Sequence, residues 1–512
     1  MMCGVRSTFM VMCCLLSLVL LFAQYEVVKL QDTHDSKGKD AVRDKTDNYE
    51  FIGRNVTGVI SDDCGHMCQH DIACSKKAPD GSDITQSNLV HRENISKQWD
   101  KFPFRIGWYG KPGNESDMLN LTEEHITFLK NIRPYTRRFR NVTAKTSGLY
   151  EGDDESYLTS TELFHKRIIQ HKLYDSHDPV IDEVLNHLHT TPIKAIEQHS
   201  GGTQFKLMFH LEDGSKAMFK PTRVLRSAET PPDLYYWLDY ERSTAEISAF
   251  HLDRILGFNR VPPTVGRIVN ITRDIRRTAD EDLERSFFLS PVGNVCFYGE
   301  CDYYCNMQHS ICGDGEMLEG SMMAYLPSLA EFPRQVWVHP WKRSYNARSI
   351  KLARWERKPN YCAKIRRRPS YNKGRRLLDV MDVAVFDFLQ GNRDRHSYEL
   401  FTEFGNFTNI LHLDNGKALG SPRFDDLSIL APVSQCCLIR YTTFVKLLHF
   451  NEGPLKLSEA MRASLNKDPV APILLDKHFA AFDRRVKIIL KTIYNCASKS
   501  KTPYKAIIDD GF

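Results

Sequence analysis

Two aspartates 20 residues apart, Asp394 and Asp414, have the residue types and spacing that phosphoryl transfer needs. Asp394 lies in the polar segment Gln390-Gly391-Asn392-Arg393-Asp394-Arg395-His396-Ser397-Tyr398-Glu399, just after an apolar run. Asp414 closes the short apolar run Leu411-His412-Leu413 and precedes Asn415-Gly416. In such a pair one carboxylate takes or orients the proton of the attacking hydroxyl. The other holds the divalent metal that bridges the nucleotide phosphates. The competing interpretation is two unrelated surface turns, because Asp and Asn-Gly favour turns in any protein.

The elements that would have to position the pair favour the chemical reading. Gly201-Gly202 precedes a hairpin: residues 204–211 read as a strand, Asp213-Gly214 as a tight turn and 216–220 as the returning strand, stopped by Pro221. Kinase folds use this geometry to drape backbone over phosphates and aim a lysine, here Lys220, at them. A helix is predicted over about 240–256, with Ala245, Ala249, Leu252 and Leu256 on one face. Glu241 and Glu246 are its candidates to pair with Lys220, the alternative being that both are solvated helix residues. Residues 320–327 suit a strand leading into a hinge between two lobes, and 377–389 an apolar helix feeding the Asp394 loop. Leu475, Phe479, Phe482, Val486, Ile489 and Ile493 recur at steps of four and three, as in an amphipathic helix packed on a core.

The order is that of a protein kinase, with Arg393-Asp394-Arg395 as catalytic loop and Asp414-Asn415-Gly416 in place of the D-F-G turn. The expected fold class is α+β, an atypical two-lobed protein-kinase-like fold. Two features depart from the ordinary kinase. Lys220 and Asp394 are 174 residues apart with a cysteine cluster between them, and only 98 residues follow Asp414, with no Ala-Pro-Glu segment. The substrate-binding half must be built differently.

The 512-residue length allows one large domain with extensions, or two to three domains. A net charge of +5, with both signs interspersed, gives no reason to expect nucleic-acid binding. A local exception is 334–376, rich in Lys and Arg and containing Arg366-Arg367-Arg368. It reads as a solvated face or as a groove for acidic substrate.

Arg6 and the 15 apolar residues 9–23 fit a signal-peptide core better than a membrane span, although the weak Ala23-Gln24 site also allows a retained anchor. Sequons at Asn55, Asn94, Asn114, Asn120, Asn141, Asn270 and Asn406 agree with entry into the secretory pathway. Of 14 cysteines, Cys3, Cys13 and Cys14 fall in the signal and Cys64, Cys68 and Cys74 in the following extension, an odd set that could leave a thiol for an intermolecular bond. The other eight read as four disulfides, with a zinc site around Cys301, Cys305 and His309 as the alternative. The expected organisation is a signal or anchor (1–23), a largely disordered stem (24–100) and a helical extension (101–200), with short helices at 125–132 and 165–173. A kinase core (201–498) with lobes 201–324 and 325–498 and a tail (499–512) complete it.

The blocks Gly201-Gly202-Thr203-Gln204, Phe219-Lys220-Pro221, Thr230-Pro231-Pro232-Asp233, Ala245-Glu246-Ile247 and Phe250-His251-Leu252-Asp253-Arg254-Ile255-Leu256 carry a family resemblance. Cys296-Phe297-Tyr298-Gly299-Glu300-Cys301, Asp379-Val380-Met381-Asp382, Asp394-Arg395-His396, Leu413-Asp414-Asn415-Gly416, Leu427-Ser428-Ile429-Leu430-Ala431-Pro432 and Gln435-Cys436-Cys437 continue it. Together they resemble the secretory-pathway kinase family that contains the Golgi casein kinase and the glycosaminoglycan xylosylkinase ("family with sequence similarity 20"). The chain looks like an invertebrate member of the Golgi casein kinase branch.

The resemblance implies ATP as cosubstrate with Mn²⁺, Mg²⁺ being an alternative. It implies Asp394 as catalytic base, and Glu241 and Asp414 as metal ligands with Glu246 as second choice. Gln204, Lys220, Ala324, Tyr325, Leu326, Glu399 and Asp414 would contact the nucleotide, the three hinge residues at the adenine. Glu399 stands five residues after Asp394, where ordinary kinases carry an Asn. Three carboxylates, Glu241, Glu399 and Asp414, would then surround the phosphates, and their mutual repulsion would make divalent metal a requirement. The implied disulfides are Cys296–Cys312, Cys301–Cys305, Cys362–Cys436 and Cys437–Cys496.

The implied activity is serine phosphorylation at Ser-x-Glu sites of secreted proteins, in the Golgi lumen and after secretion. A xylosylkinase acting on proteoglycan linkers would use the same catalytic residues. A pseudokinase activator, as one family member is, would have lost the metal-site acid that this chain keeps. A homodimer or a pseudokinase would be the protein partner, nucleic acid is not expected, and any membrane contact would run through the N-terminal segment.

Overall fold

The hairpin around Gly214 organises the first lobe. The computed structural model describes residues 120–137, 145–199, 202–231, 234, 236–301, 304–344 and 352–511. The signal, the 24–100 stem, Cys64, Cys68, Cys74 and the sequons at Asn55, Asn94, Asn114 and Asn141 lie outside these residues. No described helix is long and apolar enough to cross a membrane.

Five antiparallel strands form the first sheet, in the order Ile193–Gln198, Leu207–Leu211, Lys216–Pro221, Met317–Ala324, Thr264–Asn270. Strand alternation sends Phe209, Ala217 and Phe219 into the core, where the rings of Phe209 and Phe219 stack at 4.8 Å. Lys220, next to Phe219, therefore faces the other way. The sheet begins at Ile193, ahead of the boundary expected at 201. Only Ile196 of this edge strand is buried, so its apolar alternation is too weak to read.

The Ser243–Leu256 helix packs across the sheet and ends at Gly257 (φ 75°). Glu241 precedes this helix rather than sitting in it. In the extension, a capping box of Thr159 and Glu162 starts a helix at Ser160, so the second expected helix is Ser160–Lys166 and not 165–173.

The second lobe is built around Arg376–Gln390, a 15-residue helix buried along its whole length. Apolar on every side, it behaves as a core helix, and Gly391 (φ 70°) turns it into the Asp394 loop. Its carboxylates are compensated internally. Asp379 meets Arg440 at 2.8 Å and Arg375 at 3.1 Å, and Arg260 lies 3.2 Å from both Asp379 and Asp382. Arg440 also meets Asp510 at 3.0 Å. Residues expected to be a tail thus complete the lobe, with Ile507–Asp509 pairing in parallel with Tyr135–Thr136 and Ile439–Arg440. The long Asp476–Ala497 helix buries Phe479, Phe482, Val486, Ile489 and Ile493 as the periodicity predicts.

The eight described cysteines form Cys296–Cys312, Cys301–Cys305, Cys362–Cys436 and Cys437–Cys496. The second bond occupies the thiols that a zinc ion would need. The last two close loops of 74 and 59 residues and tie two helices to the Ala431–Cys436 turn. Among the described sequons, Asn120 and Asn406 are exposed, whereas Asn270 is half-buried and donates to Glu316 at 3.0 Å.

Burial opposes ionisation of Asp379, Asp425 and Asp426, but the arginines around each hold its carboxyl below the usual range. A folded-state value below the unfolded one of about 3.9 stabilises the fold above that pH and is lost as pH falls through the folded value. The melting temperature should stay level from pH 7 to about 5 and fall below about 4. Melts across that range check this, and an unchanged melting temperature down to pH 2 would contradict it.

Candidate active site

Lys220 is the centre of the site. Its Nζ donates to Glu241 Oε2 at 3.0 Å and to Glu246 Oε1 at 2.5 Å, and it lies 3.5 Å from Asp414 Oδ1. Both glutamates pair with the lysine, so neither is merely solvated. Burial disfavours the charged ammonium, but Glu241, Glu246 and Asp414 outweigh it and raise the Lys220 pKa well above its usual value. Burial pushes the Glu241 carboxyl up against the pull of Lys220, with Asp414 and Glu246 adding to the rise. Asp414 goes the other way. Burial opposes its ionisation, yet Lys220, Arg395, His396 and Lys206 hold it at about 2.

The turn that carries Asp414 is locked by its surroundings. Asp414 has φ 59°, a left-handed conformation tolerated best by Gly, Asn and Asp. The Asn415 N–H donates to Glu246 at 3.2 Å, and the Arg242 N–H donates to the Gly416 carbonyl at 2.7 Å. A Cβ on residue 416 would lie 2.8 Å from both Cβ and Cγ of Glu241, so only glycine leaves that glutamate in place.

Asp394 enters from the second lobe. Its Oδ2 lies 2.9 Å from Lys417 Nζ, and its Oδ1 lies 3.4 Å from His396 Nδ1. That hydrogen bond, against some desolvation, raises the His396 pKa. Arg395 braces the two loops together: its guanidinium bonds Asp387 Oδ1 at 2.9 Å, Asn415 Oδ1 at 2.8 Å and the Leu413 carbonyl.

Gln204 is buried on the glycine loop, its Oε1 3.4 Å from Arg223 and its amide nitrogen without a partner. Ala324 ends the strand at the hinge and Leu326 is buried just beyond it. The Tyr325 backbone is already committed: its N–H bonds Lys216 at 3.1 Å and its carbonyl lies 2.8 Å from His165 Nε2. Glu399 is not among the acids gathered at Lys220. It lies on strand Ser397–Phe401, opposite Val336, with its carboxylate 3.2 Å from Arg334 Nε. The strand fixes where it points, and counting residues from Asp394 cannot.

Three carboxylates do converge, but they are Glu241, Glu246 and Asp414, whose ligand atoms lie within 4.8 Å of one another. An all-oxygen donor set of this kind fits a hard divalent cation such as Mg²⁺ or Mn²⁺. Lys206 and Lys417 were not singled out in the sequence. Burial and the neighbouring Lys220 lower the Lys206 pKa, which places a second ammonium at the site.

The C-terminal Fam20 model, described as Fam20C, Golgi casein kinase, matches residues 159–504. The chain belongs to the Fam20 family. An extracellular serine/threonine protein of Drosophila melanogaster, CG31145, is 51% identical over 342 residues, which are 67% of this chain and 64% of that relative. The match thus spans less than two thirds of that relative's length. Human extracellular serine/threonine protein kinase FAM20C is 47% identical over 402 residues, 76% of this chain and 68% of the relative. The crystal structure of the Golgi casein kinase with Mn and ADP bound superposes with a TM-score of 0.69 at 37% identity, covering 77% of this chain and 95% of that one. In this Fam20 chain, Gly416→Ala should weaken Mn²⁺ binding by roughly 10–100-fold by displacing Glu241. Calorimetric titration with Mn²⁺ measures it, and unchanged affinity would show that Glu241 does not hold the ion.

Proposed function

We propose that this Fam20 chain is a protein kinase of the Golgi lumen and the secreted state. It would transfer the γ-phosphate of ATP, with Mn²⁺, to serine in Ser-x-Glu sites of secreted proteins. The observation that carries the reading is that one side of the cleft holds Asp394 beside Lys417 at 2.9 Å while the other holds Asp414 beside Lys220 at 3.5 Å. Arg395 bridges the two loops.

Glu241, Glu246 and Asp414 would hold the cation, which supplies charge neutralisation for the phosphates when bound. Lys220 and Lys206 add positive charge on the same side. Asp394 accepts the proton of the serine hydroxyl. Lys417 orients one oxygen, leaving the other toward His396. The pseudokinase reading has no support in the site, because every acid it would lack is present. Relatives named as pseudokinase and as glycosaminoglycan xylosylkinase also match this chain. The xylosylkinase differs from the proposed kinase in its acceptor rather than its chemistry.

The test offers three acceptors with ATP and Mn²⁺: a Ser-x-Glu peptide, its Ser-x-Ala twin and a xylose-containing linker oligosaccharide. Labelling of the first alone is expected. Labelling of the oligosaccharide alone would replace this reading with the xylosylkinase.

A further inference from the structure

The basic run 334–376 separates into two populations. Arg334 is tied to Glu399 at 3.2 Å, Arg343 to Asp426 at 2.9 Å and Arg375 to Asp379 at 3.1 Å, and Arg376 lies over the Trp337 ring at 4.2 Å. Those four are structural. Between Arg343 and Arg375 stand Arg354, Arg357, Lys358, Lys364, Arg366, Arg367, Arg368 and Lys373, all exposed. The single acid of 354–373, Glu356, is buried, and burial pushes its carboxyl up to about 7. Eight cations therefore face solvent along 20 residues with no exposed carboxylate among them.

This face is anchored from beneath. Cys362 is bonded to Cys436, Arg366 donates to the Cys436 carbonyl at 2.9 Å, and Arg137 reaches in to donate to the Asn372 carbonyl at 2.6 Å. Burial, and after it the nearby Arg137, lower the Arg366 pKa. The 15-residue helix Arg376–Gln390 starts just after this run.

We propose that this face docks a sulfated polysaccharide. Rows of guanidinium groups match sulfate oxygens by charge-assisted, bidentate hydrogen bonds. The aromatic and apolar side chains of the stretch, Trp355, Tyr361, Ile365 and Tyr371, are all buried. The face therefore presents no apolar anchor of the kind that protein partners use at hot spots, and no exposed ring for nucleobase stacking. A partner whose recognition is charge alone, repeated along a chain, fits it best. The inference does not depend on the kinase reading.

The test measures binding of the full chain to a heparin oligosaccharide, chondroitin sulfate, desulfated heparin and polyglutamate at about 0.1 M salt, where the Debye length is about 10 Å. Two triple variants are compared. R366Q/R367Q/R368Q removes charge from the face, and K194Q/R277Q/K446Q removes the same charge from exposed positions elsewhere. The expected result is binding to one or both sulfated chains, weakened roughly tenfold or more by the first variant, unchanged by the second and absent for desulfated heparin. An unaltered melting temperature shows that the first variant is folded. Equal losses in both variants, no loss in the first, or equal binding of desulfated heparin would overturn the proposal. Binding of polyglutamate without either sulfated chain would reassign the face to acidic proteins.

Discussion

Asp394→Asn should lower kcat by about 10²–10⁴-fold while leaving KM for ATP nearly unchanged. The substitution keeps the shape of the side chain and removes its basicity. Asp394 meets Lys417 and His396 and none of the metal-site carboxylates, so nucleotide and cation binding should survive. A loss confined to kcat is what removal of an interaction made only in the transition state produces. Steady-state kinetics with varied ATP check it. A rise in KM with kcat intact would place Asp394 in nucleotide binding instead.

Lys220→Met should abolish transfer and destabilise the metal-free protein by about 3–5 kcal/mol. The side chain is 13% exposed and neutralises Glu241 and Glu246, whose side chains are 14% and 2% exposed. Without it the half-buried Glu241 and the buried Glu246 repel each other and the more exposed Asp414. Divalent cation would take over the neutralising role. Mn²⁺ should therefore raise the melting temperature of the variant more than that of the wild type, without restoring transfer. Calorimetric melts with and without Mn²⁺ measure the difference. Equal Mn²⁺ shifts in the two proteins would mean that Lys220 and the cation do not share ligands.

The sequence made Lys220, Asp394 and Asp414 readable because each sits where local chemistry is distinctive: a strand end before proline, a polar loop after an apolar helix, and a turn ending in Asn-Gly. The two lobes were readable for a similar reason. Their central elements, Lys216–Pro221 and Arg376–Gln390, carry strong apolar patterns. Other features depend on parts of the chain that meet only in three dimensions. Lys417 finds Asp394 because the turn after Asp414 folds back on the catalytic loop. Glu246 joins the metal-site acids because the Asn415 N–H draws its carboxylate there. Glu399 meets Arg334, and the Tyr325 carbonyl meets His165, 160 residues earlier, contacts that no local pattern shows. The closing strand Ile507–Asp509 is too short to show a pattern, and its partners lie far away in the chain.

The central claim is that Asp414 supports transfer of phosphate from ATP to serine. The measurement is incorporation of label from γ-labelled ATP, with Mn²⁺, into a Ser-x-Glu peptide by purified wild type and by Asp414→Ala. The account predicts incorporation by wild type and its loss in the variant. Equal incorporation by both, or none by a wild type that still binds nucleotide, would contradict it.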